Sequence, residues 1–305
     1  MLHDLYSNHA NLYAAIANDR DFTEELNRIK AFDIPSNGLF VELFAGPAYH
    51  CIGLLNGGWS GKAVAIDNSS SMENISSDLG FTGNYLCTDA ILGLDKIANA
   101  NIIFIPRYSI VLVDREYVSK LFHAIASSLD IEGMFFLEIH TDSNIKNQLY
   151  IGGNWNELGI HKRVVKTHLG TIECIWPYTT KVVNADDKIV DMSVQITIKN
   201  NNNIDEHVFI SREHLHTKSD ILEFADSAGL IEVTDKSCEL GDSYLLAFEL
   251  KKKPKVYPSK NINSLAFNRI FDISSKDACF NQLSKSGLDT VAHDSPLSLH
   301  VYNLL

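Results

Sequence analysis

The stretch LFVELFAGPAYHCIGLL, residues 39–55, decides how this chain is read. Four of its first five residues are apolar, the fourth position being Glu42. A Phe-Ala-Gly-Pro-Ala turn follows at residues 44–48, and an amphipathic run begins at once at Tyr49. This is the pattern of a buried strand, a tight turn and a helix. Such a turn is either a packing device or a place where a ligand meets a helix N-terminus.

The flanking sequence repeats the theme. Residues 62–66 read as a second strand, stopped by Asp67. Residues 69–79 form a helix with Ser70 or Ser71 as cap and Gly80 as stop. Residues 84–87 are a short strand ending in Thr88-Asp89-Ala90, and residues 101–105 are another, ending at Pro106. A helix over 116–129 leads past Gly133 into a strand over 134–139. Strands alternating with helices predict a doubly wound, mostly parallel α/β sheet. Ahead of this unit, residues 12–29 carry a helical period and residues 35–38 a turn.

The pattern changes after about residue 146. Residues 171–176, 189–198 and 207–210 read as antiparallel strands, with hairpin turns at Asp186-Asp187 and in the run 200–203. Helix returns at 218–228, and strands over 231–234 and 243–250 form an antiparallel pair. The expected organisation is a core of residues 1–145 and 217–253, an antiparallel insert of residues 146–216 covering the site, and an extension of residues 254–305. Apolar stretches in that extension, such as SLAFNRIFDI, point to docking on the body or on a dimer partner.

The chain has 305 residues, is 45% hydrophobic and 21% charged, and carries a net charge of −12. That composition is globular. The acidic balance argues against a nucleic-acid partner, which basic stripes would mark. The Lys251-Lys252-Lys253 run reads as a solvated strand end. Five scattered cysteines with no CxxC pair suggest neither a zinc knuckle nor a disulfide framework, and fit a reducing cytoplasm. No signal peptide is expected from residues 1–16, and no run reaches the roughly 18 apolar residues of a membrane span. Two histidines at His214 and His216, without an adjacent acid or third ligand, do not make a metal site, and no metal is expected.

Ligands of open α/β sheets bind beyond the carboxyl ends of the strands. Those ends carry Glu42, Asp67 and Asp89, with Pro106-Arg107 at the fourth. A carboxylate suits a ribose diol, a second acid an adenine amino group, and a glycine turn permits close approach. Phosphate fingerprints are missing: residues 44–50 hold one glycine and no lysine. A nucleoside with a cationic head fits better than a pyrophosphate.

In this order and spacing, the motifs resemble those of class I S-adenosylmethionine-dependent methyltransferases of small-molecule type. The quoted residues are ELFAGPA, then VAIDNSSSM with Asp67 and Met72, then TDA at 88–90, IEGMFFLEIH at 131–140 and REHLHTKSDILEFADSAGLIEV at 212–233. The resemblance covers about residues 8–250. The chain departs from the family's Gly-x-Gly at Gly46-Pro47-Ala48, has one glycine at 133 where two are usual, and lacks an Asp after Leu12-Tyr13.

The resemblance implies a Rossmann-like methyltransferase fold and S-adenosylmethionine as cofactor. Asp67 would hold the ribose, Met72 would pack on the adenine, and Asp89 and Ala90 would form the adenine edge. Ala45 and Gly46 would lie under the methionine part, with Glu42 ordering the turn or its waters and Tyr13, Phe44, Asn68, Thr88, Pro106 and Arg107 completing the cofactor site. The plainer reading of Asp67 is a strand-ending acid that caps the next helix. His140, just past the fifth strand, is the candidate base. Tyr108, His140, Trp155, Trp176 and Tyr178 are the candidate substrate contacts, the tryptophans and Tyr178 lying in the insert with His168. The expected reaction is methyl transfer to an O or N atom of a small molecule or short peptide. A nicotinamide-dependent oxidoreductase and a non-catalytic partner subunit of the same fold are the alternatives. A homodimer is compatible with the extension, and neither nucleic acid nor membrane is an expected partner.

Overall fold

The computed structural model describes residues 2–18, 22, 26–27, 29, 37–151, 162–167, 170–200, 203–240 and 243–251. The first strand is β1 (Leu39–Leu43), whose residues from Phe40 on are buried. It leads through the turn into α3 (Tyr49–Asn56); ahead of it stand the N-terminal α1 (Leu2–Tyr6) and α2 (Ala10–Ala17). Then follow β2 (Lys62–Asp67), α4 (Ser70–Asp78), β3 (Asn84–Cys87), α5 (Ala90–Leu94), β4 (Ala100–Ile105), a 3-10 turn (Ser109–Leu112), α6 (Arg115–Ser128), β5 (Leu129–His140) and α7 (Asp142–Ile151). Four long strands come next: β6 (Lys162–Thr167), β7 (Gly170–Asn184), β8 (Ile189–Asn200) and β9 (Asn203–His214). The described chain closes with α8 (Lys218–Ser227), β10 (Leu230–Glu232), β11 (Cys238–Leu240) and β12 (Ser243–Leu250).

The larger sheet has the order β10–β12–β5–β4–β1–β2–β3, with β11 pairing β12. Its β1–β5 run parallel, and β12 enters antiparallel between β5 and β10. The expected doubly wound α/β sheet is therefore present. Strand alternation sends Val41 and Leu43 to one face, where Phe122, Phe135 and Phe248 cluster beneath α6 and α8. It sends Phe40 to the other, against Cys51 and Leu54 of α3. The strand order reverses between β1 and β4, so the carboxyl ends around that point are where a crevice opens.

The second sheet is antiparallel, in the order β6–β7–β8–β9. Its inner face, with Ile172, Cys174, Val194, Ile196 and Phe209, packs on Leu5, Leu12 and Ile16 of α1 and α2. The N-terminal helices are thus the filling between the roof and the body.

Several boundaries differ from the sequence reading. The helix expected over 12–29 is interrupted: α2 runs from Ala10 to Ala17, Asn18 closes it onto the Ala14 carbonyl, and Phe22, Leu26, Asn27 and Ile29 are again helical. Asn is a poor helix interior residue, and its short amide competes with the backbone. The cap of α4 is Ser69, whose hydroxyl accepts the Met72 N–H at 3.3 Å, rather than Ser70 or Ser71. β5 starts at Leu129 and β7 runs on to Asn184, its pairing with β8 irregular between Ile175 and Thr179. The boundary expected at 145/146 falls inside α7. The extension 254–305 lies outside the described residues, as do Trp155 and His168.

Candidate active site

The turn after β1 is built on backbone that side chains seldom adopt. Phe44 has φ +52°, Gly46 φ +52° and Ala48 φ +59°. Left-handed alanine and phenylalanine cost on the order of 1 kcal/mol or more each, and such strain is kept where surrounding structure imposes it. Here the imposing group is Asp67. Its Oδ2 accepts the Gly46 N–H and its Oδ1 accepts the Ser69 N–H, both at 2.9 Å. One carboxylate ties the β1 loop to the β2 loop. The Asn68 N–H also bears on this carboxylate, which keeps part of its acceptor capacity beside the two bonds. Burial raises the Asp67 carboxyl, the Gly46 and Ser69 N–H groups pull it back, and Glu42 adds to the rise. A Cβ on Gly46 would come within 3.5 Å of the Tyr13 ring, so the turn lies directly beneath α2.

Glu42 supports this turn from behind. It is 1% exposed. Its Oε1 lies 2.7 Å from His50 Nδ1, and its Oε2 accepts the Cys51 N–H at 3.0 Å. Ala48 offers α3 no side-chain cap, so Glu42 supplies the missing acceptor. With both oxygens engaged inside the protein, it orders the turn and does not face the crevice. His50 escaped the sequence reading because its position in an amphipathic helix looks like any other.

The remaining strand ends are also engaged. Thr88 donates its N–H to the Asp67 carbonyl at 2.9 Å. Asp89 Oδ1 accepts from Ile91 and Leu92 N–H, capping α5, and its Oδ2 accepts the Tyr117 hydroxyl at 2.7 Å. Ala90 is the buried first residue of α5, Asn68 is exposed, and Met72 is 1% exposed within α4. Pro106 is buried. Beyond it Arg107 and Tyr108 take φ +57° and +59°, and the Arg107 N–H is held by Glu138 Oε2 at 2.8 Å.

Beside the cradle lies a cavity of about 250 Å³. It sits between the ends of β4 and β5, the helices α2 and α7, and the underside of the roof. Tyr13, Arg107, Tyr108, His140 and Trp176, drawn from separate parts of the sequence, all line it. Tyr178 does not line it, although it lies half-buried on β7. Tyr6, Asn144, Gln148, Arg163 and Glu213 line it too and were not singled out in the sequence.

His140 stacks on Tyr108 with ring centroids 3.9 Å apart and planes 9° from parallel. Enclosure pulls its pKa down to about 4. Its Nδ1 lies 3.3 Å from Asn144 Nδ2, and Gln148 Nε2 donates to Asn144 Oδ1 at 3.2 Å. With an amide N–H facing Nδ1, the neutral ring carries its proton on Nε2. At pH 7 His140 is therefore an uncharged hydrogen-bond donor and a weak base.

Glu213 is 4% exposed near the end of β9. Burial raises its carboxyl to about 7, with the Ser211 hydrogen bond acting the other way. Tyr6 spans the two halves of the site: burial first, then Tyr13, Glu213 and Asp67 push its phenol up, and Arg107 acts weakly the other way. The helices carrying Tyr6 and Tyr13 are pinned to the cradle, the Tyr6 carbonyl by the Ser69 hydroxyl at 2.6 Å and the Ala14 carbonyl by the Tyr49 hydroxyl at 2.7 Å.

Among solved structures, the chain is similar to an S-adenosylmethionine-dependent methyltransferase from Clostridium acetobutylicum, at 16% identity, TM-score 0.61, over 80% of this chain and 98% of that one. It is similar to DesVI of Streptomyces venezuelae, at 13% identity and TM-score 0.63, over 82% and 98%. It also matches the sugar N-methyltransferase KedS8 of a Streptoalloteichus species, at 14% identity and TM-score 0.61, over 80% and 93%. The chain has the fold of the class I S-adenosylmethionine-dependent methyltransferases. No family model matches the sequence, and no curated protein does. In this chain β1 and β2 are the strands whose following loops Asp67 joins. Among the described residues no group of acids, histidines and cysteines could hold a metal ion, and no helix is long and apolar enough to cross a membrane.

Proposed function

We propose that this protein is an S-adenosylmethionine-dependent methyltransferase acting on an O or N atom of a small molecule or short peptide. The observation that carries the reading is the Asp67 clamp between the Gly46 turn and the Ser69 loop, opening beside a roofed cavity. When bound, the cofactor supplies an activated methyl on a cationic sulfur. Asp67 holds the ribose with its remaining lone pairs, and its charge favours a cationic ligand. Ala45 and Gly46 give the methionine part a surface with little side chain, and Phe44 shapes the bend. Asn68, Met72, Thr88, Asp89 and Ala90 surround the adenine position, with Pro106 and Arg107 at the far wall. The chain's remaining task is to hold a nucleophile in line with the methyl and exclude water.

The cavity suits that task. Tyr13, Tyr108 and Trp176 give it apolar walls, while Asn144, Gln148 and His140 place polar groups among them. A cavity of about 250 Å³ beneath the antiparallel roof supports a compact acceptor. Structural neighbours described as a sugar N-methyltransferase and an amino-pentose methyltransferase support an acceptor of that size. Calorimetric titration of the full chain with S-adenosylmethionine and with NAD tests the reading. Binding of the first and not the second is expected; NAD binding alone would replace it with the oxidoreductase, and heat from neither would point to the non-catalytic subunit.

A further inference from the structure

Glu213 is the acid that methyl transfer in general does not require. It stands on the inner face of the roof, in line with Phe209 and Ser211, whereas its sequence neighbour Arg212 points outward to Asp191. A buried carboxylate needs a partner to stay charged. Across the ladder it meets Val190, and Met192 lies beyond. It shares the cavity with Tyr6 of α1, whose phenol it influences, with Tyr13 of α2, with Arg107 and Tyr108 beyond β4, and with the neutral His140 of β5. Arg163 of β6 opposes Cys174, whose row crosses β8 at Ile196, whereas the row of Glu213 crosses it at Val190. That separates the two backbone positions by roughly 20 Å along the strand. A guanidinium paired with Glu213 would hold its carboxyl low, and it is raised instead.

We infer, resting on the methyltransferase reading, that Glu213 is an acceptor-side catalytic carboxylate and that the acceptor is a primary or secondary amine, which enters as the ammonium, gives Glu213 a proton and attacks as the free amine. In the first step an N–H bond breaks and its proton moves to a Glu213 oxygen. In the second, the nitrogen lone pair forms the bond to the methyl carbon, and the carbon–sulfur electron pair stays on sulfur as a neutral thioether. The product leaves as the methylated ammonium, and Glu213 releases its proton to solvent. The faces of Tyr6, Tyr13 and Trp176 are compatible with a cation beside the acid. The energetics separate amines from alcohols. An alkylammonium at about 8–10 lies within a few units of a carboxyl near 7. An alcohol, about as weak an acid as water, lies far above it.

The test uses the full chain with S-adenosylhomocysteine added first, followed by benzylamine and glucosamine, each against its hydroxyl counterpart, benzyl alcohol and glucose. Binding is read by calorimetry for the wild type and Glu213→Gln. The nucleoside should bind both proteins alike, since Glu213 lies outside the cradle. At least one amine should then bind the wild type tenfold or more tighter than its alcohol, and Glu213→Gln should lose that advantage. Failure of the nucleoside to bind the wild type overturns the methyltransferase reading and this inference with it. Nucleoside binding with an amine advantage below tenfold, or with none of the amines bound, overturns this inference alone, as does an advantage that survives in Glu213→Gln. The wild-type comparison decides the matter even if the variant does not fold.

Discussion

Replacing Glu213 by Gln should change how stability depends on pH, in a direction and by an amount that the burial of this one carboxyl sets. The folded carboxyl titrates at about 7, raised from an ordinary 4.5 by its enclosure under the roof. A raised acid stabilises the fold in its protonated form. That stabilisation is complete below about 4.5 and is lost as pH rises to about 7, because over that window the unfolded chain has released the proton and the folded one has not. At about 1.36 kcal/mol per pH unit the full loss is about 3.4 kcal/mol, and about 2–3 kcal/mol of it falls between pH 5 and pH 8. Gln matches the protonated acid in shape and cannot ionise. Tyr6, Tyr13, Arg107, Tyr108, Arg163 and His140 share the cavity and are present in both proteins, so their titration largely cancels. Urea unfolding followed by tryptophan fluorescence at pH 5, 6.5 and 8 reads the difference. The two proteins should be nearly equal at pH 5, and the variant should be about 2–3 kcal/mol the more stable at pH 8. A difference that does not change with pH would show that Glu213 is solvated or ion-paired, and would remove the reason for assigning it a cationic ligand.

Asp67→Ala should weaken S-adenosylmethionine binding by about 1–3 kcal/mol, since the ribose loses a charged acceptor and the Gly46 and Ser69 N–H groups lose theirs. Unchanged affinity in calorimetry would leave Asp67 as a structural clamp only. Glu42→Ala should lower stability by about 2–4 kcal/mol in chemical denaturation, because His50 and the Cys51 N–H are left buried without their acceptor; a loss under 1 kcal/mol would contradict the anchoring role. His140→Ala should slow turnover while leaving the unfolding midpoint near that of the wild type, and a normal rate would strike His140 from the site.

The parallel half of the fold was legible because each of its strands is a short apolar run ending in an acid, proline or glycine turn. The bounds of β3 are those expected from residues 84–87, and β2 is extended only by Asp67. The clamp was half legible: Asp67 could be placed at a strand tip, but that it reaches Gly46 across the loop depends on β1 and β2 being neighbours in register. The roof was harder. β6 alternates Lys162, Val164 and Lys166 on its exposed side, so no apolar stripe announces it. Glu213 did leave a signal, because Phe209, Ser211 and Glu213 share one strand face with a buried aromatic at its head. Reading REHLH as the approach to a helix hid that period. The amides Asn144 and Gln148 lie one helical turn apart on α7, a spacing common on solvated helices, and only the packed roof makes them cavity walls.

The most direct test of the account is a crystal structure of this protein soaked with S-adenosylhomocysteine. The account predicts the ribose hydroxyls on the free lone pairs of Asp67, the homocysteine part over Gly46, and the sulfur aimed at the cavity that holds Tyr108, His140 and Glu213. A nucleoside seated elsewhere, or sulfur pointing away from that cavity, would contradict it.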